Sequence, residues 1–271
     1  SARKKAVKCA VTVLLIGVCC FAASDYSFAF WEDDLVYEDE SIYNYLQVRE
    51  DDRSVILSTN VLFGVQSIRM KNEELTGMYY DYALAAPYMA GIEEKQDANV
   101  LILGLGTGTY ATLCDRYFPG IQVEGVEIDQ KIADLSRKYF DLPESVSVHV
   151  DDGRAFLERA GQYDVIMVDA YQDITIPFQM SSVEFFTMVK EHLKEDGVMV
   201  VNMNMRSSKE GSINDCLTDT IASVFSEVYT VTDEGNTNTE LFASENPNMV
   251  ENLSNALGRI QDPALRDMMQ T

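Results

Sequence analysis

Apolar and polar positions recur with two different periods along the chain, and the change from one to the other divides it. Over residues 36–70 the period is two. Tyr43-Asn44-Tyr45-Leu46-Gln47-Val48 alternates, and Glu50-Asp51-Asp52-Arg53 makes a polar turn. Residues 54–57 start a return strand and residues 61–68 supply another. This predicts a small antiparallel sheet. Residues 72–88 then read as a helix with Glu73 and Glu74 in its first turn. From Asn99 onward short apolar runs alternate with helical stretches. Strands are expected at 100–103, 121–126, 145–150, 163–168 and 198–203. Helices follow them at 109–118, 130–140, 154–160, 181–193 and 212–225, with Pro119-Gly120 and Asp196-Gly197 as stops. Residues 227–232 and 239–243 suggest a closing strand pair, and the tail from Pro247 one or two helices. Such alternation implies an α/β fold with a mostly parallel sheet covered on both faces.

Residues 6–23 are almost entirely apolar, with Lys8 as the exception and Arg3, Lys4 and Lys5 before them. Length and flanks predict a membrane segment or signal within residues 1–30. The alternatives are a cleaved signal, with Ser27-Phe28-Ala29 at the cleavage site, and a buried helix. The expectation is membrane association through a single or final span. Basic residues before it and Glu32, Asp33 and Asp34 after it favour a cytoplasmic N-terminus, whereas the supply of a nucleoside favours a cytoplasmic domain. The chain begins with Ser, as a piece of a longer protein would. The remaining divisions are a small β domain over 36–71, a connecting helix and linker over 72–98, and a nucleoside-binding domain over 99–271.

Composition narrows the partners. The net charge of −23 weighs against nucleic acid and would attract a cation. Cys9, Cys19, Cys20, Cys114 and Cys216 show no disulfide or zinc spacing, and His149 and His192 lie far apart, so no metal is expected.

The candidate chemistry lies at the carboxyl ends of the expected strands, where open α/β sheets bind ligands. Gly104-Leu105-Gly106-Thr107-Gly108 follows the first strand directly, so its backbone can turn sharply and approach a ligand. A dinucleotide loop would carry glycine at Thr109; the spacing here is closer to that of enzymes using S-adenosylmethionine. Glu127 ends the second strand about 20 positions on, placed to accept from ribose hydroxyls. Asp152-Gly153 follows the third strand and Asp169 the fourth. Asp152 would accept from an adenine amino group, although Asp151 or Asp152 could serve only as a helix cap. Asp169, central on the sheet edge, could orient an attacking amine and help remove its proton. Asp81, among Tyr79, Tyr80 and Tyr82, could point into the site.

These residues resemble spermidine synthase and the wider polyamine aminopropyltransferase family, and its membrane-fused branch most. The marks are Glu40-Ser41-x-Tyr43, Val65-Gln66-Ser67, residues 80–87, the glycine loop, Val126-Glu127-Ile128-Asp129, Asp152-Gly153, Val168-Asp169-Ala170-Tyr171, and Ile176-Pro177-Phe178 before Glu184-Phe185-Phe186. The resemblance implies a small N-terminal β domain on a seven-stranded methyltransferase-like, Rossmann-like domain. It implies transfer of aminopropyl from decarboxylated S-adenosylmethionine to a diamine or polyamine, with no metal, in a homodimer. Gln66, Gly104, Gly106, Thr107, Gly108, Glu127, Asp152 and Gly153 would hold the donor. Asp169, Asp173 and Tyr80 would be catalytic, and Asp81, Tyr171 and Gln172 would meet the substrate. Three positions depart from the family pattern: Thr107 replaces an acid, Gln172 stands where Asp169-x-x-Asp is expected, with Asp173 one residue late, and Asp81-Tyr82 replaces His-or-Gln followed by an acid. Two rivals stay open. One is an S-adenosylmethionine-dependent methyltransferase on the same fold, favoured by Thr107. The other is a catalytically silent nucleoside-binding domain of a membrane protein, favoured by Gln172.

Overall fold

The computed structural model describes residues 2–23, 34–60, 64–72, 74–170, 177–203, 212–232 and 238–270. Helix α1 (Ala2–Ala23) comes first. Arg3, Lys4, Lys5 and Lys8 occupy its first two turns. The uncharged remainder, residues 9–23, falls short of the about 20 residues that a bilayer core requires. Among the described residues no helix is long and apolar enough to cross a membrane. The expected membrane span, and membrane association through it, is thereby corrected.

Four strands follow: β1 (Leu35–Glu40), β2 (Tyr45–Glu50), β3 (Ser54–Thr59) and β4 (Ser67–Met70), antiparallel and in sequential order. Period-two alternation buries Leu46, Val48, Val55 and Leu57 on one face. That face packs on Ile132, Leu135 and Phe140 of the larger domain.

The helix expected over 72–88 starts seven residues late. It consists of α2 (Tyr79–Ala83) and α3 (Ala85–Met89). The Asp81 carboxylate explains the shift. It accepts from the Thr76 N–H (3.0 Å), the Thr76 hydroxyl (2.8 Å) and the Gly77 N–H (2.7 Å). The preceding residues therefore close into a turn that positions the first helical residue.

The larger sheet has seven strands. In chain order the elements are β5 (Asn99–Leu103), α4 (Thr109–Tyr117), β6 (Gln122–Glu127), α5 (Gln130–Tyr139), β7 (Ser147–Val150), α6 (Gly153–Leu157) and β8 (Tyr163–Val168). Then come α7 (Val183–Glu191), β9 (Leu193–Met203), α8 (Ile213–Ala222), β10 (Glu227–Thr232), β11 (Thr239–Ser244), α9 (Met249–Ala256) and α10 (Pro263–Met269). The spatial order is β10-β11-β9-β8-β5-β6-β7, with β11 antiparallel to both neighbours and the rest parallel. This is the expected α/β methyltransferase-like architecture. Alternate residues feed two cores. Val100, Ile102, Met167, Val200 and Phe242 pack beneath α2, α3 and α4. Leu101, Leu103, Ile166, Phe185 and Phe186 pack on the opposite face.

Asp196-Gly197 does not stop α7, which ends at Glu191. It lies inside β9, where Tyr163 pairs with Leu193 but Val165 pairs with Val198, a bulge that takes up the extra residues.

The amino-terminal edge of the sheet is pinned by Asp164, whose side chain is fully buried. It accepts from Lys95 Nζ (2.7 Å), Lys194 Nζ (2.7 Å) and the Asn99 N–H (3.0 Å). Burial pushes its pKa up, but these donors outweigh burial and hold it below the usual value. A lowered carboxyl pKa gives stability that is present above the unfolded value and lost as pH falls through the folded one. Asp164→Asn should cost about 1.5–3 kcal/mol at neutral pH, and the cost should shrink as pH falls below the ordinary carboxyl value, read as urea midpoints across that range. A loss that does not change with pH would show that packing, not charge, is responsible.

Candidate active site

The glycine loop is pinned from three sides. The Gly104 and Leu105 N–H groups both donate to the Val126 carbonyl at 2.9 Å, turning the chain off β5 over the end of β6. Gly104 has φ +92°, and a Cβ there would lie 2.4 Å from the Asp169 carbonyl oxygen. Gly106 has φ +57°, and a Cβ would lie 2.6 Å from Ser67 Oγ. Only glycine permits both approaches. The second brings the small sheet against the loop. Ser67 Oγ accepts from the Thr107 N–H (3.2 Å), and Thr109 Oγ1 both accepts from the Ile68 N–H (3.1 Å) and donates to the Ile68 carbonyl (2.9 Å).

Asp129 makes the other junction. Its Oδ1 caps α5 by accepting from the Lys131 N–H at 3.0 Å, and its Oδ2 accepts from Ser41 Oγ (2.5 Å) and Asn44 Nδ2 (3.2 Å) of the small sheet. Between the two junctions lies a cleft of about 1050 Å³ including its open mouth, large enough for a small-molecule ligand. Leu105, Val126, Ile128, Ile132, Ala170 and Met180 supply its apolar wall.

Four carboxyl side chains line the cleft: Glu127, Asp151, Asp152 and Asp169. No Lys, Arg or His is among its described lining residues. Glu127 Oε2 accepts from the Gly106 N–H (2.9 Å) and Oε1 from the Asp129 N–H (3.0 Å). Burial pushes its pKa up to about 7 against the pull of those bonds. Asp169 Oδ2 accepts from the Tyr79 hydroxyl (2.6 Å) and Oδ1 from Asn202 Nδ2 (2.9 Å). Burial pushes its pKa up to about 7 as well, again opposed by both donors. Asp152 caps α6, accepting from the Ala155 N–H at 2.9 Å. Asp151 accepts from the Asp152 N–H (2.8 Å) and pairs with Arg159.

Gln66, Tyr80, Gly104, Gly106, Glu127, Asp152, Gly153 and Asp169 therefore meet at one cleft. Tyr80 is buried and donates to the Gln66 carbonyl at 2.8 Å. Thr107 and Gly108 face a smaller recess behind the loop, and the Thr107 hydroxyl has no partner there. Asp81 is turned away from the cleft, because its carboxylate is taken by Thr76 and Gly77. Tyr171, Gln172 and Asp173 lie outside the described residues. Two contributors are absent from the sequence-based set. Tyr79, not Tyr80, holds Asp169, its ring packed on that of Tyr80 with centroids 4.0 Å apart. Asn202 is the penultimate residue of β9, whose apolar run gave no local sign of polar work.

Comparison with known proteins gives a consistent picture. Residues 82–248 match the family model of the spermine/spermidine synthase domain. A probable polyamine aminopropyl transferase from Bifidobacterium longum (strain NCC 2705) is 57% identical over 249 residues, 90% of this chain and 55% of that protein. The chain thus spans little more than half the length of that relative. A probable spermidine synthase from Corynebacterium glutamicum superposes with TM-score 0.69 at 21% identity, covering 86% of this chain and 93% of the other. A spermidine synthase in complex with the transition state analogue AdoDATO superposes with TM-score 0.68 at 17% identity, covering 87% and 84%.

The raised carboxyl pKa values have a measurable consequence in the ligand-free protein. An acid whose folded pKa is raised contributes stability that is complete below its unfolded value and lost as pH rises through the folded one. For Glu127 that window runs from 4.5 to about 7. Glu127→Gln should remove a slope of up to about 1.4 kcal/mol per pH unit in that window, measured as the difference in urea stability between variant and wild type. Parallel stability curves from pH 4 to 8 would mean that Glu127 is not held protonated by burial.

Proposed function

The chain belongs to the spermine/spermidine synthase family, and from that premise we propose that it is a polyamine aminopropyltransferase. Its donor would be decarboxylated S-adenosylmethionine and its acceptor a small amine. The observation that carries this reading is the acidic lining of the cleft: four carboxyl groups, of which Asp151 is paired with Arg159 outside the lining, and, among the described lining residues, no cationic side chain. Such a lining suits a donor that bears a sulfonium and an ammonium and has lost its carboxylate. A donor that retains the amino-acid carboxylate would face like charge with no basic partner. The solved spermidine synthase complex with AdoDATO lends support through the shared fold.

The residue roles are part of the proposal. Glu127 would accept from the ribose hydroxyls, its other bonds fixing it to the loop and to the start of α5. Asp152 would accept from the adenine amino group with the oxygen that its cap leaves over, and Leu105, Ile128 and Met180 would flank the base. Asp169 would hold the acceptor amine in line with the carbon–sulfur bond, the geometry on which such a displacement depends. The nitrogen lone pair forms the new carbon–nitrogen bond, and the carbon–sulfur electrons return to sulfur as neutral methylthioadenosine leaves. The surplus proton on nitrogen passes to Asp169, whose pKa of about 7 suits it to take and release a proton near neutrality. Tyr79 and Asn202 keep that carboxylate from rotating. A homodimer belongs to the same reading, supported by the family resemblance and tested by light scattering. The membrane-fused branch of the family forms no part of it.

Calorimetry separates the readings. Methylthioadenosine and decarboxylated S-adenosylmethionine should bind tightly and S-adenosylhomocysteine weakly; the reverse order would favour a methyltransferase. Asp169→Asn should lower turnover by about 100-fold or more while sparing methylthioadenosine affinity, and undiminished turnover would remove Asp169 from its role. Glu127→Ala should weaken all adenosine ligands alike, by about 10- to 100-fold for a lost charged hydrogen bond.

A further inference from the structure

The wall of the cleft over residues 177–180 is held from behind. Pro177, Gln179 and Met180 line the cleft, and Phe178–Met180 form one turn of 3₁₀ helix, closed by the Met180 N–H on the Pro177 carbonyl at 2.8 Å. A single helical turn has little stability of its own. Packing fixes this one at one point, because Met180 is 3% exposed whereas Phe178 is 86% exposed. A segment held at one point can pivot.

The second attachment is Arg154 of α6. Its Nη1 donates to the Gln179 carbonyl at 2.6 Å. The guanidinium makes this a charge-assisted bond, about twice as strong as a neutral one. Arg154 is not among the residues that line the cleft, so it grips the wall from outside. The grip also keeps its charge away from a lining in which the described residues include no cation and where it would repel a cationic donor.

Both attachments come from the residues directly after Asp152. A Cβ at Gly153 would lie 3.5 Å from Met180 Cε and 3.6 Å from Leu103 Cβ, so Met180 rests against the Gly153 backbone beside the end of β5. Arg154 is the next residue, and Asp152 caps the same helix by accepting from the Ala155 N–H at 2.9 Å. Consecutive residues of one rigid turn thus hold the acid that would read the edge of the base and the methionine that would cover its face.

Resting on the adenosine reading of the cleft given above, we propose that Arg154 is a positioning residue for the base of the donor. By holding the Gln179 carbonyl it fixes Pro177 and Met180 relative to Asp152, and so the fit of the slot that takes the base. It acts on donor affinity and on the preference for a purine that bears an amino group. The amine end of the cleft at Asp169 does not depend on it.

The test uses Arg154→Met, which keeps a long stem and removes the donor, and Arg154→Lys, which returns a charge without the planar fork. In calorimetry Arg154→Met should bind methylthioadenosine about tenfold more weakly or worse, as the loss of one charge-assisted bond implies. Methylthioinosine, with a carbonyl in place of the amino group, should weaken less, so the preference between the two narrows. The KM for decarboxylated S-adenosylmethionine should rise by a like factor, with kcat and the KM for the amine at their wild-type values. Arg154→Lys should recover part of the affinity and part of the preference, and it carries the same comparison if Arg154→Met does not fold. Hydrogen exchange reads the anchor without any ligand: residues 177–182 should exchange faster in Arg154→Met, with β5 and β8 unchanged. Unaltered exchange over 177–182, an unaltered preference between the two nucleosides, or a fall in kcat with both KM values raised alike would each overturn the proposal and leave the adenosine cleft standing. Wild-type protein that binds neither nucleoside would overturn the adenosine reading and this proposal with it.

Discussion

The site depends on one close approach: a loop without side chains, pressed between the end of a central strand and the edge of a second sheet. Gly104 lies against the Asp169 backbone and Gly106 against Ser67, at separations that leave no room for a methyl group. That contact seats the end of β8 against the loop, and so places Asp169 at the cleft. It also locates the small sheet, because Ser67 and Ile68 bond to the loop and to Thr109 at the start of α4. Asp129 closes the far side by serving the α5 cap and the small sheet at once. The cleft is the gap between these two seams.

Burial then tunes the groups that the seams bring together. Glu127 and Asp169 each carry enough hydrogen bonds to favour the charged form, yet desolvation wins and both sit near neutrality. Asp164, at the opposite edge of the same sheet, shows the other outcome: two lysines and a backbone donor overcome burial. The contrast separates the two edges. Cationic side chains satisfy the acid at the amino-terminal edge. At the carboxyl-terminal edge Glu127 and Asp169 are held by neutral hydrogen-bond donors, and of the described cleft carboxyls Asp151 is the one paired with a cation, Arg159.

Much of this was legible in the residues because it rests on local rules. The apolar runs, the positive-φ glycines and the acids just past strand ends are written contiguously, and they led to Gly104, Gly106, Glu127, Asp152 and Asp169. What escaped depends on distance or on rotation. The start of α2 was misplaced because Asp81 reaches back to Thr76 and Gly77, a bond that helix periodicity does not show. Tyr79 and Tyr80 are adjacent letters separated by a helical rotation, and nothing local tells which one meets Asp169. Asn202 reads as an ordinary polar position near the end of an apolar run. Its meaning comes from sheet order, which sets β9 beside β8 and so brings Asn202 to Asp169.

The turn built by Asp81 reaches further than its own neighbourhood. By deciding where α2 begins, it decides where the Tyr79 hydroxyl stands, and that hydroxyl is one of the two donors that fix Asp169. A change at Thr76, Gly77 or Asp81 would act as a lever on a carboxylate it never touches, swinging it through the rigid phenol ring. Adjustment of the Asp169 position during divergence of this family therefore has a route outside the cleft wall, since Thr76, Gly77 and Asp81 are not among the residues that line it.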